Sequence, residues 1–299
     1  MPHDALPASR DLSGAFKWAV AFTTGFIVIE AIFGFLAGSL ALLADAAHNL
    51  TDVAGLLIAW GAVILTRRPP TRLHTYGLGR TTILAALANA VTILIGVGAI
   101  LWESIRRFAE PPEVAAGVVL WVAVIGIAVN TATALLFLRD RHDDLNARGA
   151  FLHMAADAAV SIGVVASALI IMATGWWVVD PIAAVVVSLL VGWTAFRLLR
   201  SALHLSLDGV PEGLETDAVE RWLRGQAGVA DVHDLHVWSL STTKVALTAH
   251  LVITEGSPGP GFLDGIAQGL ADEFGIGHST IQIERSDDPV CRLAPADIP

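Results

Sequence analysis

Two His-x-x-x-Asp pairs stand out in an otherwise apolar chain: His48 with Asp52, and His153 with Asp157. Residues four apart lie one above the other on a helix, so each pair offers an imidazole and a carboxylate on one face. If the two faces meet, two nitrogens and two oxygens can surround a cation in the tetrahedral geometry that Zn²⁺ accepts. Mg²⁺, Ca²⁺ and Mn²⁺ favour shells richer in oxygen. The pairs therefore predict a site for a divalent transition metal.

Other interpretations of these residues stay open. A His or Asp inside a helical bundle is often a structural hydrogen-bond partner, although two matched pairs are harder to explain in that way. Paired imidazoles also allow a proton relay without a metal, because imidazole titrates near neutral pH. Asp45, one turn before His48, is an accessory candidate: a proton acceptor, a residue on the cation's route, or a solvated acid. Glu30 is interpreted as an interhelical hydrogen-bond partner.

The elements that must position these residues are apolar runs long enough to cross a bilayer, about 20 residues or more each. Six such runs lie near 17–37, 41–65, 80–102, 114–138, 150–173 and 178–199. The chain is 55% hydrophobic and 15% charged, against about 25% charged in an average soluble domain. The expected fold class is therefore an α-helical polytopic membrane protein with six transmembrane helices, and ionisable groups inside such helices are commonly functional.

The net charge of −10 lies in the C-terminal third of the chain. Residues 1–205 contain 13 Lys+Arg and 13 Asp+Glu, whereas residues 206–299 contain 5 and 15, so the two parts carry 0 and −10. An acidic domain disfavours nucleic acid and is compatible with cations. We expect a cytoplasmic N-terminal segment, a transmembrane domain, a cytoplasmic domain and a tail, at 1–16, 17–205, 206–290 and 291–299.

Basic residues predict the orientation of the spans. Only Arg106 and Arg107 flank them on one side, and eleven flank them on the other: Arg10, Lys17, Arg67, Arg68, Arg72, Arg80, Arg139, Arg141, Arg148, Arg197 and Arg200. Positive residues accumulate on the cytoplasmic side of a membrane protein. Both termini are therefore expected in the cytoplasm, with the protein in the cell (inner) membrane.

The acidic part alternates in the manner of an α+β domain of order αββαβ. Helices are predicted at 212–226 and 260–275, and strands at 229–240, 244–254 and 279–285. His250 and Glu284 point away from the apolar faces of their strands and can converge on the other side of the sheet.

With His233 on the first strand, His250 and Glu284 form a candidate Zn²⁺ site, and the alternative is a polar, half-exposed sheet surface. His236 and His278 are weaker candidates. The single cysteine, Cys291, can make no intramolecular disulfide, and it argues against a soft-metal thiolate site.

The chain resembles the cation diffusion facilitator family of metal/proton antiporters, in its zinc-type branch. The resemblance is carried by GSLALLADAAHNLTDVAGL (38–56), HTYGLGRTTILAALANA (74–90), LNARGAFLHMAADAAVSIGVV (145–165), VDPIAAVVVSLLVGW (179–193), VHDLHVWSLS (232–241), ALTAHLVI (246–253) and HSTIQIE (278–284). It implies a homodimer that exports Zn²⁺ from the cytoplasm in exchange for protons, with His48, Asp52, His153 and Asp157 as transport ligands. It also implies a metallochaperone-like cytoplasmic domain in which Zn²⁺ is a regulatory ion.

The chain departs from this family in two places. Members commonly carry a Glu where this chain has Thr82, and some have an HxxxH loop site where this chain has His74 but Leu78. His74 is therefore an accessory candidate, interpreted as structural or as a weak relay. The His-rich loop of many eukaryotic members is reduced to His142, which is typical of bacterial members.

Two other functional classes compete with a secondary active transporter. An intramembrane metalloenzyme would need a general base beside its metal pair, as in HExxH, but Asn49 follows His48 and Met154 follows His153. A nucleophile elbow, GxSxG, is also missing. A membrane metal sensor or scaffold would need only the cytoplasmic ligands, so the His/Asp pairs in the spans favour transport. Cd²⁺, Co²⁺ and Ni²⁺ remain alternatives to Zn²⁺ as the cargo.

Overall fold

The structure, a computed structural model, describes residues 13–66, 68–138, 145–254, 259–285 and 291. The side chains of 13–20, 51, 52, 54–60, 63, 137 and 145–153 lie outside the described residues. The chain divides into two compact units: Met1–Leu56 with Asn89–Phe196, called here the helical unit, and Leu57–Ala88 with Arg197–Pro299, called the mixed unit.

Six long helices precede the first strand, one in each region predicted to span the membrane. They are α1 (Ser13–Ala37), α2 (Leu40–Thr66), α3 (Thr81–Ala109), α4 (Ala116–Phe137), α5 (Leu145–Thr174) and α6 (Val179–Ser206). Over the described residues, Thr81–Ala109, Ala116–Leu136, Met154–Thr174 and Val179–Ser206 are long and apolar enough to cross a membrane, and the apolar stretch Ala21–Ala37 of α1 is shorter.

The helix α3 continues beyond its predicted end to Ala109. Arg107 and Arg106 both pair with Glu103 one turn earlier. Cations in the last turn interact favourably with the helix dipole, which explains why a polar sequence prolongs an apolar helix.

In the helical unit, α4 packs against α5 and α1. Gly126 on α4 permits a close approach, because a Cβ there would lie 2.7 Å from Cζ of Phe26 on α1. The buried core includes Leu42, Val119 and Val164. Exposed apolar side chains are numerous on these helices, as expected for surfaces that face lipid; examples are Phe35, Ile95, Trp121 and Leu190.

The N-terminus of α2 is held by a carboxylate from α6. Asp180 Oδ2 accepts a hydrogen bond of 2.6 Å from the backbone N–H of Leu40, and Asp180 Oδ1 accepts one of 2.5 Å from the hydroxyl of Ser39. The first N–H groups of a helix have no partner within the helix, so a carboxylate there satisfies them and favours the helix dipole. Asp180 lies in the first turn of α6, and it caps a different helix.

The mixed unit contains the predicted αββαβ order, which is confirmed. Its elements are α7 (Thr216–Arg224), β1 (Val229–Ser239), β2 (Val245–Ile253), α8 (Phe262–Phe274) and β3 (His278–Arg285). The sheet order is β1-β2-β3, with β1 and β2 antiparallel and β2 and β3 parallel. The crossover needed for a parallel pair is made through α8. Leu223, Leu247, Leu251 and Leu270 are fully buried between the helices and the sheet.

Within the mixed unit, the segment just before α3 and the first turn of α3 contact the loop between β1 and β2. A Cβ on Gly79 would lie 2.8 Å from the carbonyl oxygen of Leu240, so a larger residue would clash with backbone there. Thr82, which departs from the family pattern, accepts a hydrogen bond of 3.1 Å from the backbone N–H of Thr242. Arg80 forms an ion pair with Asp208. The hydroxyl of Thr82 thus helps to hold the loop after β1 against the start of α3.

Candidate metal centres

The first candidate centre lies in the helical unit between α2 and α5. His48 Nε2 is 3.5 Å from Asp157 Oδ1, and only 18% and 2% of these two side chains are exposed. Asp52 and His153, the other two predicted ligands, lie on the same two helices, but their side chains lie outside the described residues. The structure therefore brings one member of each predicted pair together.

A small cavity of about 20 Å³ adjoins His48. Its wall includes Ile93 and Gly96 from α3 and Ser188 from α6, and the hydroxyl of Ser188 is buried with no hydrogen-bond partner among the described residues. A cavity needs roughly 10–15 Å³ to hold one water molecule. The imidazole of His48 is therefore bordered by space for about one water-sized species.

A second buried polar group adjoins this centre. Asp45 is fully buried, and its Oδ2 accepts a hydrogen bond of 3.1 Å from the hydroxyl of Ser161 on α5. Asn49 Nδ2 donates to Glu30 Oε2 at 3.4 Å, which joins α2 to α1. The interpretation of Asp45 as a solvated acid is wrong, because α1 and α5 cover that face of α2. The interhelical interpretation of Glu30 agrees with its bond to Asn49.

The second candidate centre lies on the sheet of the mixed unit. His233, His250, Glu284 and Cys291 each offer one ligand atom, and these four atoms all lie within 4.8 Å of one another. His250 Nδ1 is 2.9 Å from Glu284 Oε1 and 3.6 Å from Cys291 Sγ, and His233 Nε2 is 3.3 Å from Glu284 Oε2. We call these four residues the sheet cluster.

Strand pairing sets the geometry of the sheet cluster. His233 on β1 is directly opposite His250 on β2, and their rings meet edge to face with centroids 5.1 Å apart. The parallel pairing of β2 with β3 places Glu284 beside Val252, next to His250 along the sheet. Cross-strand neighbours on one face of a sheet are close enough for direct contact.

Asp234 orients the imidazole of His250. The β1–β2 register shifts between His233 and His236, and Asp234 within that irregularity has a φ of 50°. Asp234 Oδ2 lies 3.4 Å from His250 Nε2, on the side of the ring away from Glu284 and Cys291. A carboxylate that holds one ring nitrogen leaves the other one directed at a metal. Asp234 is a residue that sequence reasoning missed; its mid-strand position beside a ligand was the available signal.

The charges within the sheet cluster favour an ionised Glu284. Burial raises the pKa of this carboxyl, but hydrogen bonds from Cys291 and Gln282 and the imidazoles of His233 and His250 outweigh burial and lower the pKa from its ordinary value. His233 Nε2 is buried, and although it lies 3.3 Å from Glu284 Oε2 it makes no hydrogen bond among the described residues. A metal ion would satisfy that nitrogen, so the residues present fit a bound metal.

The thiol is the main difference from the expected ligand set. The sequence argued against a thiolate site, and the structure corrects this expectation by placing Cys291 within the sheet cluster. The signal was missed because a lone cysteine beyond the last predicted strand has no spacing motif. The shell N₂OS is one that Zn²⁺ binds well and that soft ions also favour.

The remaining histidine candidates lie apart from the sheet cluster. His236 Nε2 is 3.0 Å from Asp234 Oδ1. His278 packs edge to face against Tyr76. His74 is exposed in a turn, where its backbone accepts hydrogen bonds from the N–H groups of Thr71 and Gly77. None of the three belongs to a group of metal-binding side chains among the residues that the structure describes.

Comparison with known proteins gives two family matches that together span most of the chain. The family described as "Cation efflux transmembrane domain" matches residues 17–205. The family described as "Cation efflux protein, cytoplasmic domain" matches residues 211–286.

Several characterised proteins are similar over nearly their whole length. The zinc transporter ZitB of Escherichia coli is 41% identical, over 92% of this chain and 89% of that protein. The metal cation efflux system protein CzcD of Cupriavidus metallidurans is 39% identical, over 90% and 85%. The cadmium, cobalt and zinc/H(+)-K(+) antiporter of Bacillus subtilis is 36% identical, over 87% and 85%.

Among solved structures, the metal-bound C-terminal domain of the CzcD transporter is 38% identical, with a TM-score of 0.22, over 24% of this chain and 99% of that domain. The matched families, the multi-pass helical architecture and the long alignments agree with one another. This chain belongs to the cation efflux family, and it is a membrane transporter of metal cations rather than an enzyme.

Proposed function

We propose that this transporter exports Zn²⁺ from the cytoplasm in exchange for protons, as a homodimer in the cell (inner) membrane. In this proposal residues 17–205 form the transport domain with six spans, residues 206–290 form the cytoplasmic domain, and both termini are cytoplasmic. The proposed transport ligands are His48, Asp52, His153 and Asp157. The observation that carries the proposal is the buried 3.5 Å approach of His48 Nε2 to Asp157 Oδ1, which links α2 to α5.

Competition at this site supplies the coupling. Imidazole and carboxylate must be deprotonated to bind a metal, so Zn²⁺ and protons exclude each other. Zn²⁺ displaces protons when the site faces the cytoplasm, and protons displace Zn²⁺ when it faces a more acidic exterior. An imidazole suits this exchange, because its ordinary pKa lies within the physiological range.

The choice of Zn²⁺ follows from the donor set and from the relatives. Two imidazoles and two carboxylates form the N₂O₂ shell that tetrahedral Zn²⁺ accepts. The name of the Escherichia coli relative gives zinc, and the name of the Bacillus subtilis relative gives cadmium, cobalt and zinc with H(+)-K(+) antiport. Cd²⁺, Co²⁺ and Ni²⁺ are secondary cargo in this proposal.

The sheet cluster is proposed as the regulatory site of the cytoplasmic domain. Residues 206–299 carry a net charge of −10 per chain. Two such domains in a dimer repel each other, and bound Zn²⁺ reduces that repulsion and favours their association. The residues proposed to hold the ion are His233, His250, Glu284 and Cys291.

Zinc-driven proton flux in proteoliposomes tests the transport ligands. Asp157→Asn and His48→Ala each remove one ligand of the proposed shell, so both are expected to abolish the flux. Glu103→Gln is the matched control, because Glu103 pairs with Arg106 and Arg107 at the end of α3. Flux at the parent level in both ligand variants would reject the assignment and favour a sensor or scaffold that uses the sheet cluster alone.

A further inference from the structure

Two fully buried carboxyl groups lie beside the proposed transport ligands and are not used by the exchange described above. Glu30 on α1 and Asp45 on α2 are both 0% exposed. Each has one oxygen engaged: Glu30 Oε2 accepts from Asn49, and Asp45 Oδ2 accepts from Ser161. Their side chains therefore have fixed places within the bundle.

The other oxygen of each group has no hydrogen-bond donor. Glu30 Oε1 and Asp45 Oδ1 are both buried without a hydrogen-bond partner among the described residues. Asn49, which donates to Glu30, and Asp45 are four residues apart and share one face of α2, so the two carboxyl groups are neighbours. Two ionised carboxylates cannot bond directly, because neither has a hydrogen to donate. Two neighbouring buried carboxyl groups, each with one such oxygen, are therefore suited to hold a cation.

The surroundings supply little compensating charge. The described ionisable groups that act on the pair are His48 on α2 and Asp157 on α5, and Asp157 adds further negative charge. The helix α4, which packs against α1, has no ionisable residue. The side chains of Asp52 and His153 lie outside the described residues. Buried charges of like sign are strongly unfavourable unless one is neutralised.

The donor set restricts which cation could neutralise the pair. The two free oxygens are fewer than the six or more that Mg²⁺ or Ca²⁺ takes. The pair includes no imidazole or thiol, the donors that favour transition metals. A proton needs only two oxygens, so it is the cation that this pair can hold without further ligands.

We propose that Glu30 and Asp45 hold one monovalent cation, a proton, between their carboxylates. This pair is a second cation site, separate from the shell that contains His48 and Asp157. The inference rests on the proposed function in one respect: Zn²⁺ arriving at His48 and Asp157 adds positive charge close to the pair and expels the monovalent cation. Part of the positive charge that is exchanged for Zn²⁺ would then be bound by residues that do not coordinate the metal.

Calorimetric titration of the full-length protein with Zn²⁺ tests this inference. The parent carries His250→Ala, which removes the sheet cluster as a second zinc site. Titrations in two buffers of different ionisation enthalpy, in a choline medium, count the protons released per Zn²⁺. A second series adds K⁺ or Na⁺. Glu30→Gln and Asp45→Asn keep the shape of each side chain and remove its charge, and Glu103→Gln is the matched control.

If the cation is a proton, the parent and the control release about one more proton per Zn²⁺ than either pair variant, because zinc binding is linked to proton release. If K⁺ or Na⁺ instead weakens Zn²⁺ binding to the parent by at least about 3-fold and leaves both variants unchanged, the pair holds an alkali-metal ion and the proton is rejected, because linked ligands affect each other equally. Equal proton counts and equal salt dependence in all four proteins would overturn the inference.

Two further measurements keep the outcomes distinct. Asp157→Asn in the same background reports on the proposed transport shell: if it binds Zn²⁺ as the parent does, the proposed function has failed, whatever the pair variants show. Should Glu30→Gln denature on extraction, the infrared difference spectrum of the parent with and without Zn²⁺ replaces it. Suppose that a protonated carboxyl band disappears when Zn²⁺ binds to the parent, and that no such band disappears in Asp45→Asn. That result supports a bound proton, whereas a difference spectrum that Asp45→Asn leaves unchanged contradicts it.

Discussion

The two candidate metal centres differ in how they are built and in what they contain. In the helical unit, the described contact joins His48 to Asp157 across 3.5 Å between two helices. In the mixed unit, adjacent strands place His233 opposite His250, and Cys291 adds a thiol. The first has no sulfur within its proposed shell, whereas the second combines two imidazoles, a carboxylate and a sulfur.

This difference matches two tasks. A transport site must release its ion in every cycle, and a shell without thiolate binds Zn²⁺ less persistently than one that contains it. A regulatory site must stay occupied while the zinc supply is adequate, so strand register, a thiol and an orienting carboxylate are useful there. The comparison therefore predicts that substitutions in the sheet cluster change how zinc regulates the transporter, whereas substitutions at the centre in the helical unit change the transport rate itself.

The largest expected effect that could break this comparison comes from His250→Ala. The substitution removes the ligand that contacts both Glu284 and Cys291, so zinc affinity of the cytoplasmic domain should fall by at least about 100-fold, more than for loss of an outer partner. Flux at saturating Zn²⁺ should persist. Calorimetry and proteoliposome flux measure the two quantities. Loss of flux as complete as in Asp157→Asn would show that the two centres do not have separate tasks.

A second substitution tests the frame of the helical unit. Asp180→Asn removes the charge that holds the N–H of Leu40 and the hydroxyl of Ser39, and we expect a loss of about 2 kcal/mol of stability. The midpoint of thermal denaturation in detergent reports the loss.

Asp217→Asn is its control, since Asp217 is an exposed acid in the first turn of α7. An exposed charge of this kind contributes about 0.3–1 kcal/mol. If the denaturation midpoint fell equally in the two variants, the burial of Asp180 and its interhelical hydrogen bonds would contribute no additional stability.

Asp234→Asn sharpens the view of the sheet cluster. An amide can present its NH₂ group to His250 Nε2 and disturb the ring orientation, so zinc affinity of the cytoplasmic domain should fall by about 10-fold. Asp231→Asn is a control on the same strand, because Asp231 is exposed and pairs with Arg224. If the zinc affinity of Asp234→Asn were unchanged, Asp234 would not orient His250 for metal binding.

The smallest effect on zinc is expected from Cys291→Ser. A hydroxyl replaces the thiol, so affinity for Zn²⁺ should fall by about 3-fold and affinity for softer Cd²⁺ by about 10-fold. Competition titrations with the two metals measure the ratio. If the ratio of the two affinities stayed constant, the thiol would not be a ligand, and the two centres would differ less than the structure indicates.

Much of the architecture could be predicted because it depends on local patterns. Apolar runs of about 20 residues or more predicted the regions of α1 to α6, and the alternation of apolar and polar residues predicted β1 and β2. Helix ends were less predictable: α3 continues through Arg106 and Arg107, since charged residues prolong a helix when they pair within it.

The sites were only partly predictable, because long-range contacts have no local signature. The i, i+4 spacing predicted that side chains of α2 and α5 would meet, as His48 and Asp157 do, and strand alternation predicted that His250 and Glu284 would converge, as they do. Cys291 and Asp234 were missed: one belongs to no spacing motif, and the other acts through its neighbour. Asp45 was left undecided because burial by α1 and α5 cannot be read from the sequence of α2.

The cap that Asp180 provides to α2 has a consequence for biosynthesis. Leu40 and Asp180 are 140 positions apart. A ribosome that feeds the helices into the membrane in order therefore releases α2 before Asp180 exists, so the N–H of Leu40 lacks this partner until α6 is made. The α2 terminus is completed last although its helix is made second, so a chain truncated after α5 should be recognised by quality-control proteases.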